Sequence, residues 1–399
     1  MPAGIYIHTP FCRSRCSYCD FATGIYESNT ADRYVRALTK EISRWNEVGT
    51  PKTVDTIYFG GGTPSLLSVN QLEAILTAVR ARFAVDETAE ITLEINPGDG
   101  GTSAASKLNG GGLAAAVLRR GSSNDFFRAL KQLGINRASF GAQTFNDREL
   151  KMLGRTHDAA GIGETFELLR EAGFANINFD LIAGLPHQTL AGWKRNLERA
   201  LELRPEHLSL YLLDVHEGTP LHEQITRGMR PQPDEDLAAD MYSVMIEEVC
   251  AAGYEHYEIS NFCRVGFASR HNTKYWMRDA YYGFGNSAHS HDGGRRRWAN
   301  ERDALQYVES IERDDSPIVE RTEVSDDDAR SEAIFLGLRL MRGVDLENYH
   351  AQFDVDLHEQ YHGEIDRLKQ AGLIEIDREV LRLTSRGALL SNEVFAALG

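Results

Sequence analysis

Residues 12–19 read Cys12-Arg-Ser-Arg-Cys16-Ser-Tyr-Cys19, a CxxxCxxC loop that follows a strand-like run at Ile5-Tyr6-Ile7. Three of the chain's five cysteines crowd into this loop, while Cys250 and Cys263 lie far downstream. An odd, clustered set is the pattern of a metal site and not of a disulfide framework. Three thiolates on a tight loop can each hold one iron of a cubane cluster, leaving the fourth iron open to an exchangeable ligand. Zinc is the rival occupant, and it would want a fourth protein ligand such as a histidine.

Beyond the loop, β-branched apolar runs alternate with helical patterns. Strands are expected at Val54–Phe59, Ile91–Ile95, Arg137–Ala142, Ile177–Ile182 and Leu208–Leu213. Helices are expected at Ala31–Trp45, Val69–Phe83, Phe126–Leu133, Ala160–Ala172 and Trp193–Leu203. In the second of these, Leu72, Ile75, Leu76 and Val79 share one face. Gly134 and Gly173 stop two of the helices. Six β-α units in series imply a parallel α/β sheet with right-handed crossovers. A closed or partly closed barrel fits better than an open sheet, with chemistry in the loops that follow the strands. The stretch Gly98–Asn124, rich in Gly, Ser and Ala, reads as a mobile insertion.

After Leu213 the rhythm changes. Asp234–Ala252 is helical, and Tyr254–Asn300, dense in aromatics, glycines and histidines, reads as a few strands and loops. Asp326-Asp327-Asp328 marks a helix N-terminus, where negative charge is favoured. Ile365–Gln370 as a helix, Gly372–Glu375 as a turn into a strand and Val380–Leu383 as a second strand suggest a winged-helix-like module. That tail is not strongly basic, so it reads as a packing unit and not as a nucleic-acid reader. The expected organisation is a barrel over 1–220 with the insertion at 98–124, a mixed α+β extension over 221–320, and a winged-helix-like domain over 321–399.

With 399 residues the chain can bury a full core without disulfide staples. Its 43 basic and 59 acidic residues leave a net charge of −16, which disfavours nucleic acid and anionic lipid as partners. No window approaches the ~18 continuous apolar residues of a membrane-spanning helix. Met1-Pro2-Ala3-Gly4 enters a strand-like run with no basic or apolar leader region, so a reducing cytoplasmic location is expected.

Polar groups recur where the strands end. Gly60-Gly61-Gly62-Thr63-Pro64 follows the second strand, and its glycines let backbone approach a ligand closely. Glu94-Ile-Asn96-Pro97 follows the third, and Gln143, Arg155 and Asp180 lie at or beyond later strand ends. Each alone is an ordinary polar residue. Their convergence on one rim with the cysteines is the signal.

CxxxCxxC, then GGTP, then ExNP, then Arg137-Ala-Ser-Phe-Gly-Ala-Gln143 resembles the radical S-adenosylmethionine superfamily, more narrowly its oxygen-independent coproporphyrinogen III oxidase-like group. The likeness spans nearly the whole chain. It implies a radical SAM partial (β/α)6 barrel, a 4Fe-4S cluster on Cys12, Cys16 and Cys19, and S-adenosylmethionine on the fourth iron. It implies that Tyr6 lines that ligand, Tyr18 packs near the adenine, and Gly62 and Thr63 hold the methionine amino end. Glu94, Gln143, Arg155 and Asp180 fall where the family places its remaining contacts. Arg155 would pair the carboxylate, and Asp180 or Glu94 would take the ribose or the ammonium.

Two features choose a branch. The decarboxylases of the group carry a fourth cysteine two residues after the third, where this chain has Phe21, and a long extension where only 11 residues precede Cys12. In the other direction, His271-Asn272-Thr273-Lys274-Tyr275-Trp276 matches the HNxxYW motif of the HemW-type haem chaperones. That branch implies haem as cargo and an apo-haemoprotein acceptor, with peripheral contact to a membrane-bound acceptor compatible with it. His271 is then the first candidate to meet the haem iron, with Tyr275 and Trp276 as flat surface against the macrocycle. His289 and His291 are weaker candidates. The ordinary reading puts His271 and Asn272 in a hydrogen-bonded loop and Trp276 in the core. Oxidative decarboxylation of coproporphyrinogen III is the alternative function.

Overall fold

Apolar and polar residues alternate along each expected strand, and the fold shows what the two faces meet. The computed structural model describes residues 1–46, 53–98 and 113–399. Its six core strands are β1 (Ala3–Thr9), β2 (Thr53–Gly61), β3 (Ala84–Ile95), β4 (Arg137–Gln143), β5 (Ile177–Ala183) and β6 (His207–Leu212). They pair in parallel in sequence order. Phe140 of β4 and Phe179 of β5 lie in one core with Phe166 and Leu169 of the helix that connects the two strands. The alternate residues Arg137, Ser139, Asn178 and Asp180 point the other way and line a cavity. The sheet is therefore apolar outside, under its helices, and polar within. That differs from the branched aliphatic layers that fill a closed eight-stranded barrel.

The crossover helices are α1 (Ser28–Arg44), α2 (Val69–Arg82), α3 (Leu113–Gln132), α4 (Asp147–Met152), α5 (Ala159–Glu171) and α6 (Leu190–Leu203). Ser68 and Gln71 form a capping box at the start of α2, and Asp158 and Thr189 cap α5 and α6. The short α4 escapes the periodicity because six residues hold fewer than two turns. Of the insertion read over Gly98–Asn124, residues 99–112 lie outside the described residues. From Leu113 onward the chain is already in α3, so that helix starts well before Phe126.

The sheet does not end at six strands. Beyond β6 come α7 (Pro220–Thr226), α8 (Glu235–Ala251), and the strands β7 (Glu255–Glu258) and β8 (Asn261–Cys263). Then follow α9 (Arg270–Trp276), β9 (Tyr281–Phe284), β10 (His289–His291), β11 (Arg296–Asn300), α10 (Ala304–Glu312) and β12 (Ile318–Glu323). The twelve strands run β12-β11-β10-β9-β1-β2-β3-β4-β5-β6-β8-β7. Strand β9 lies parallel to β1, with Gly4 opposite Tyr281 and Ile7 opposite Phe284, and so adds a seventh parallel strand. The remaining additions are antiparallel. The two ends of this order do not pair among the described strands, so the barrel is partial. The extension over 221–320 thus joins both edges of the barrel sheet.

Glu41 of α1 fastens one of those edges. Its buried carboxylate accepts hydrogen bonds from the Gly285 amide (2.9 Å), Asn300 Nδ2 (2.7 Å) and the Tyr307 hydroxyl (2.6 Å). Burial pushes its pKa up to about 7 against the pull of those donors. The folded state therefore binds this proton more tightly than the unfolded chain, and the stability it confers falls as pH rises through about 7. Glu41→Gln removes that titration. In chemical denaturation, wild type should lose stability relative to Glu41→Gln between about pH 5 and pH 8. A difference between the two that does not change with pH would show that Glu41 is already ionised throughout.

At the C-terminus, Ser325 caps α11 (Asp326–Arg339), with the three aspartates in its first turn. A three-stranded sheet of Val344–Asp345, Val380–Leu383 and Ile374–Asp377 follows, flanked by helices that include His362–Gln370. Its Leu381 and Leu383 belong to the same core as the barrel. Arg339 joins the two through an ion pair to the buried Glu258 (2.9 Å). None of the described helices is long and apolar enough to cross a membrane.

Candidate functional site

The cysteine loop is held in place by main chain. Phe11–Cys12 pairs with Gly24–Ile25, and the amides of Gly62 and Thr63 donate to the carbonyls of Thr9 and Phe11, each at 2.7 Å. A Cβ on Gly62 would stand 2.6 Å from the Phe11 oxygen, so glycine is the residue that lets the two segments close. On its far side the loop is tied to α4, where the Ser17 amide donates to the Leu153 carbonyl (3.0 Å). Cys12, Cys16 and Cys19 are half-buried free thiols.

A chain of polar contacts runs from one thiol to another. Thr63 Oγ1 donates to Cys12 Sγ (3.8 Å), and Asn96 Nδ2 donates to Thr63 Oγ1 (3.0 Å). Arg155 Nη2 donates to Asn96 Oδ1 (2.6 Å) and to the Gly141 carbonyl (2.9 Å), while Nη1 donates to Cys16 Sγ (3.4 Å). Asn96 was not singled out from the sequence. Its signal was present in the Glu94-Ile-Asn96-Pro97 motif, one face away from Ile95.

Above the polar strand faces lies a cavity of about 430 Å³. Cys12, Cys16, Cys19, Tyr18, Gly62, Thr63, Glu94, Gln143, Arg155 and Asp180 all line it. Glu94 accepts from the Tyr58 hydroxyl (2.8 Å), and burial, aided by the charge of Asp180, pushes its pKa up to about 7. Burial also raises Asp180, although Asn178 Nδ2 donates to it at 2.8 Å. Gln143 ends β4 with a left-handed φ of 63° at a register shift in the sheet. Its amide folds back so closely on Gly141 that a Cβ there would meet Nε2 at 2.3 Å. Strain of this kind persists where surrounding structure holds it, commonly at binding sites. Tyr18 packs against Leu153, Ile182 and Leu185. Arg137 also reaches this cavity, 1% exposed, with Nε and Nη1 unpartnered. The sequence showed it only as the first residue of a strand.

Tyr6 and all of the HNxxYW segment except Asn272 lie outside this cavity. Tyr6 stacks on Tyr58, donates toward His8 Nδ1 (3.1 Å), and faces a second cavity on the other side of the cysteine loop. The HNxxYW segment is a helix, α9, with Ser269 as its cap, and not a loop. Its residues diverge. His271 is 1% exposed, with Nδ1 against the Thr56 hydroxyl (2.9 Å) and Nε2 against the Tyr275 hydroxyl (2.9 Å). Burial among cations lowers its pKa to about 3, which keeps the ring neutral. Asn272 lines the first cavity and Tyr275 the second. Trp276 lies under the Arg339 guanidinium, 4.2 Å from its centroid, facing the C-terminal module. His291 is buried against the Gly294 carbonyl, whereas His289 is exposed and borders the second cavity.

A structural zinc site takes four protein ligands, whereas residues 12–19 supply three free thiols and no histidine. Three thiolates that each take a different iron of a cubane need not converge, so the loop suits a 4Fe-4S cluster.

Comparison with known proteins bears on the family and the fold. The radical SAM superfamily profile matches residues 6–200, and that of the HemN C-terminal domain matches residues 324–390. The chain is 35% identical to a heme chaperone HemW of Bacillus subtilis over 98% of each chain. It is 32% identical to the mitochondrial radical S-adenosyl methionine domain-containing protein 1 of Bos taurus, over 99% of this chain and 87% of that one. The solved structure of coproporphyrinogen III oxidase (HemN) from Escherichia coli superposes with a TM-score of 0.81. It covers 100% of this chain and 90% of that one at 24% identity, a likeness of fold.

Proposed function

Because the chain belongs to the radical SAM superfamily, among the HemN-related proteins that include the HemW relatives, we propose that it is a haem chaperone carrying a 4Fe-4S cluster and S-adenosylmethionine. The carrying observation is the end-to-end match to relatives named as heme chaperones, at 35% identity over 98% of both chains. Cys12, Cys16 and Cys19 hold the cluster, and the first cavity holds S-adenosylmethionine. When bound, and once reduced by an external one-electron donor, the cluster would supply the electron that cleaves an S–C bond of the S-adenosylmethionine sulfonium. Gly62 and Thr63 admit the methionine end against backbone, and the guanidinium of Arg155 faces its carboxylate. Glu94 and Asp180 accept from the ammonium and the ribose hydroxyls. Haem is cargo, bound and handed to an apo-haemoprotein in the cytoplasm.

The test is transfer. Haem-loaded protein mixed with an apo-haemoprotein should convert it to the holo form, followed by its absorption spectrum. Coproporphyrinogen III incubated anaerobically with the reconstituted protein, S-adenosylmethionine and a reductant should stay unconverted by mass, since Phe21 stands where the decarboxylases carry a cysteine. Robust decarboxylation without haem transfer would assign the enzyme function instead.

Glu94 adds a pH signature. Either partner, ammonium or hydroxyl, favours its ionised form, yet in the free protein that form prevails only above about pH 7. S-adenosylmethionine binding should therefore weaken as pH falls from about 8 to 6, with proton release on binding in that window. Glu94→Gln should bind more weakly at high pH and flatten the profile. A wild-type profile already flat in calorimetry would remove Glu94 from the contact set.

A further inference from the structure

The second cavity, of about 380 Å³, lies between β1, β9, β10 and the outer side of the cysteine loop. Three tyrosines wall it: Tyr6, Tyr275 and Tyr281, the last two edge to face at 4.5 Å. At its mouth stand Phe21, His289 and Arg302. Phe21 is 61% exposed, a large aromatic on the cysteine loop that also borders the first cavity. His289 is exposed while its strand neighbours Ser290 and His291 are 1% exposed. Arg302 is exposed and donates to the Asp20 carbonyl (3.3 Å).

This combination has a definite chemistry: flat aromatic walls, one accessible imidazole and one cation at the solvent edge. A planar apolar macrocycle with a central iron and carboxylates along one edge meets all three. We propose that this second cavity is the haem-loading site, with His289 on the iron, Arg302 on a propionate, and the tyrosine walls and Phe21 against the macrocycle. The inference rests on the haem-binding reading above and locates its cargo. Partial exposure suits a cargo that must leave. Through Phe21 the site shares a wall with the cavity assigned to S-adenosylmethionine.

The HNxxYW helix then has an indirect part. Both ring nitrogens of His271 are engaged, so it does not reach iron, but its Nε2 contact sets the Tyr275 hydroxyl and hence one wall of the cavity. His271 is a positioning residue here.

The test is a titration of ferric haem into the full chain with its cluster reconstituted, read by difference absorption and by the ferric-haem electron paramagnetic resonance spectrum. His289→Ala should lower haem affinity about tenfold or more and change the resonance signature of the iron. His271→Ala should weaken binding while leaving that signature as in wild type. Arg302→Gln should weaken haem about threefold, yet leave binding of haem dimethyl ester unchanged, because the ester has no propionate charge. The surface variant His362→Ala should bind as wild type. Cluster content and circular dichroism report folding, and if His289→Ala fails to fold, the Arg302→Gln comparison of haem with its ester decides. Wild-type binding that His289→Ala and Arg302→Gln both retain would overturn this site alone. A wild-type protein that binds no haem would overturn the chaperone reading itself.

Discussion

Replacement of Cys12, Cys16 and Cys19 together by alanine should leave a folded chain that holds no iron. Anaerobic reconstitution followed by iron and acid-labile sulfide analysis reads this directly. In the proposed site these thiolates anchor the irons. The loop's own position rests on main-chain bonds from Gly62, Thr63 and Ser17, which the substitutions leave intact. Cys250→Ala and Cys263→Ala should each keep full iron, since Cys263 is buried in β8, across the sheet from the loop, and Cys250 is exposed at the end of α8. A loss of iron in either distal variant would refute the three-thiolate site.

Arg155→Ala should weaken S-adenosylmethionine binding by about 2–5 kcal/mol, the range for removing one partner of a desolvated charge pair. In this fold the substitution also removes the link between Asn96, the Gly141 carbonyl and Cys16. The two contributions separate with a ligand that lacks the carboxylate, such as a decarboxylated analogue. Arg155→Ala should cost much less affinity there. Calorimetry on both ligands measures the difference, and equal losses on the two would make Arg155 a purely structural strut.

The cysteine spacing, the succession of strands and helices, and the polar residues that follow the strands were all local, periodic features. They sufficed for an α/β barrel with the cysteines and the strand-end polar residues gathered at one cavity. The same holds for the C-terminal module, whose acidic helix start and short hairpin are signals within a few residues of each other.

Other features depended on closure. Arg137, Ser139 and Gly141 alternate with Ala138, Phe140 and Ala142, but a two-residue period says only that two faces differ. Buried parallel strands usually read as continuous apolar runs, so alternation suggests a solvated face. Only curvature of the sheet turns that face into an enclosed polar cavity, and only then do Asn96 and Arg137 become part of a site. Strand β9 has four residues and no helical crossover of ordinary length before it, so nothing local announced a seventh parallel strand. The seven-residue helix α9 carries too few turns for a periodic signal, and its side chains go to the barrel interior, two cavities and the C-terminal module. The second cavity draws on residues from 6 to 302, which chain order separates and the pairing of β9 with β1 brings together. The sequence by itself determined the chemistry available at each strand end. The tertiary structure decided which of those groups share a space, because that follows from sheet order and curvature, which no short stretch of residues encodes.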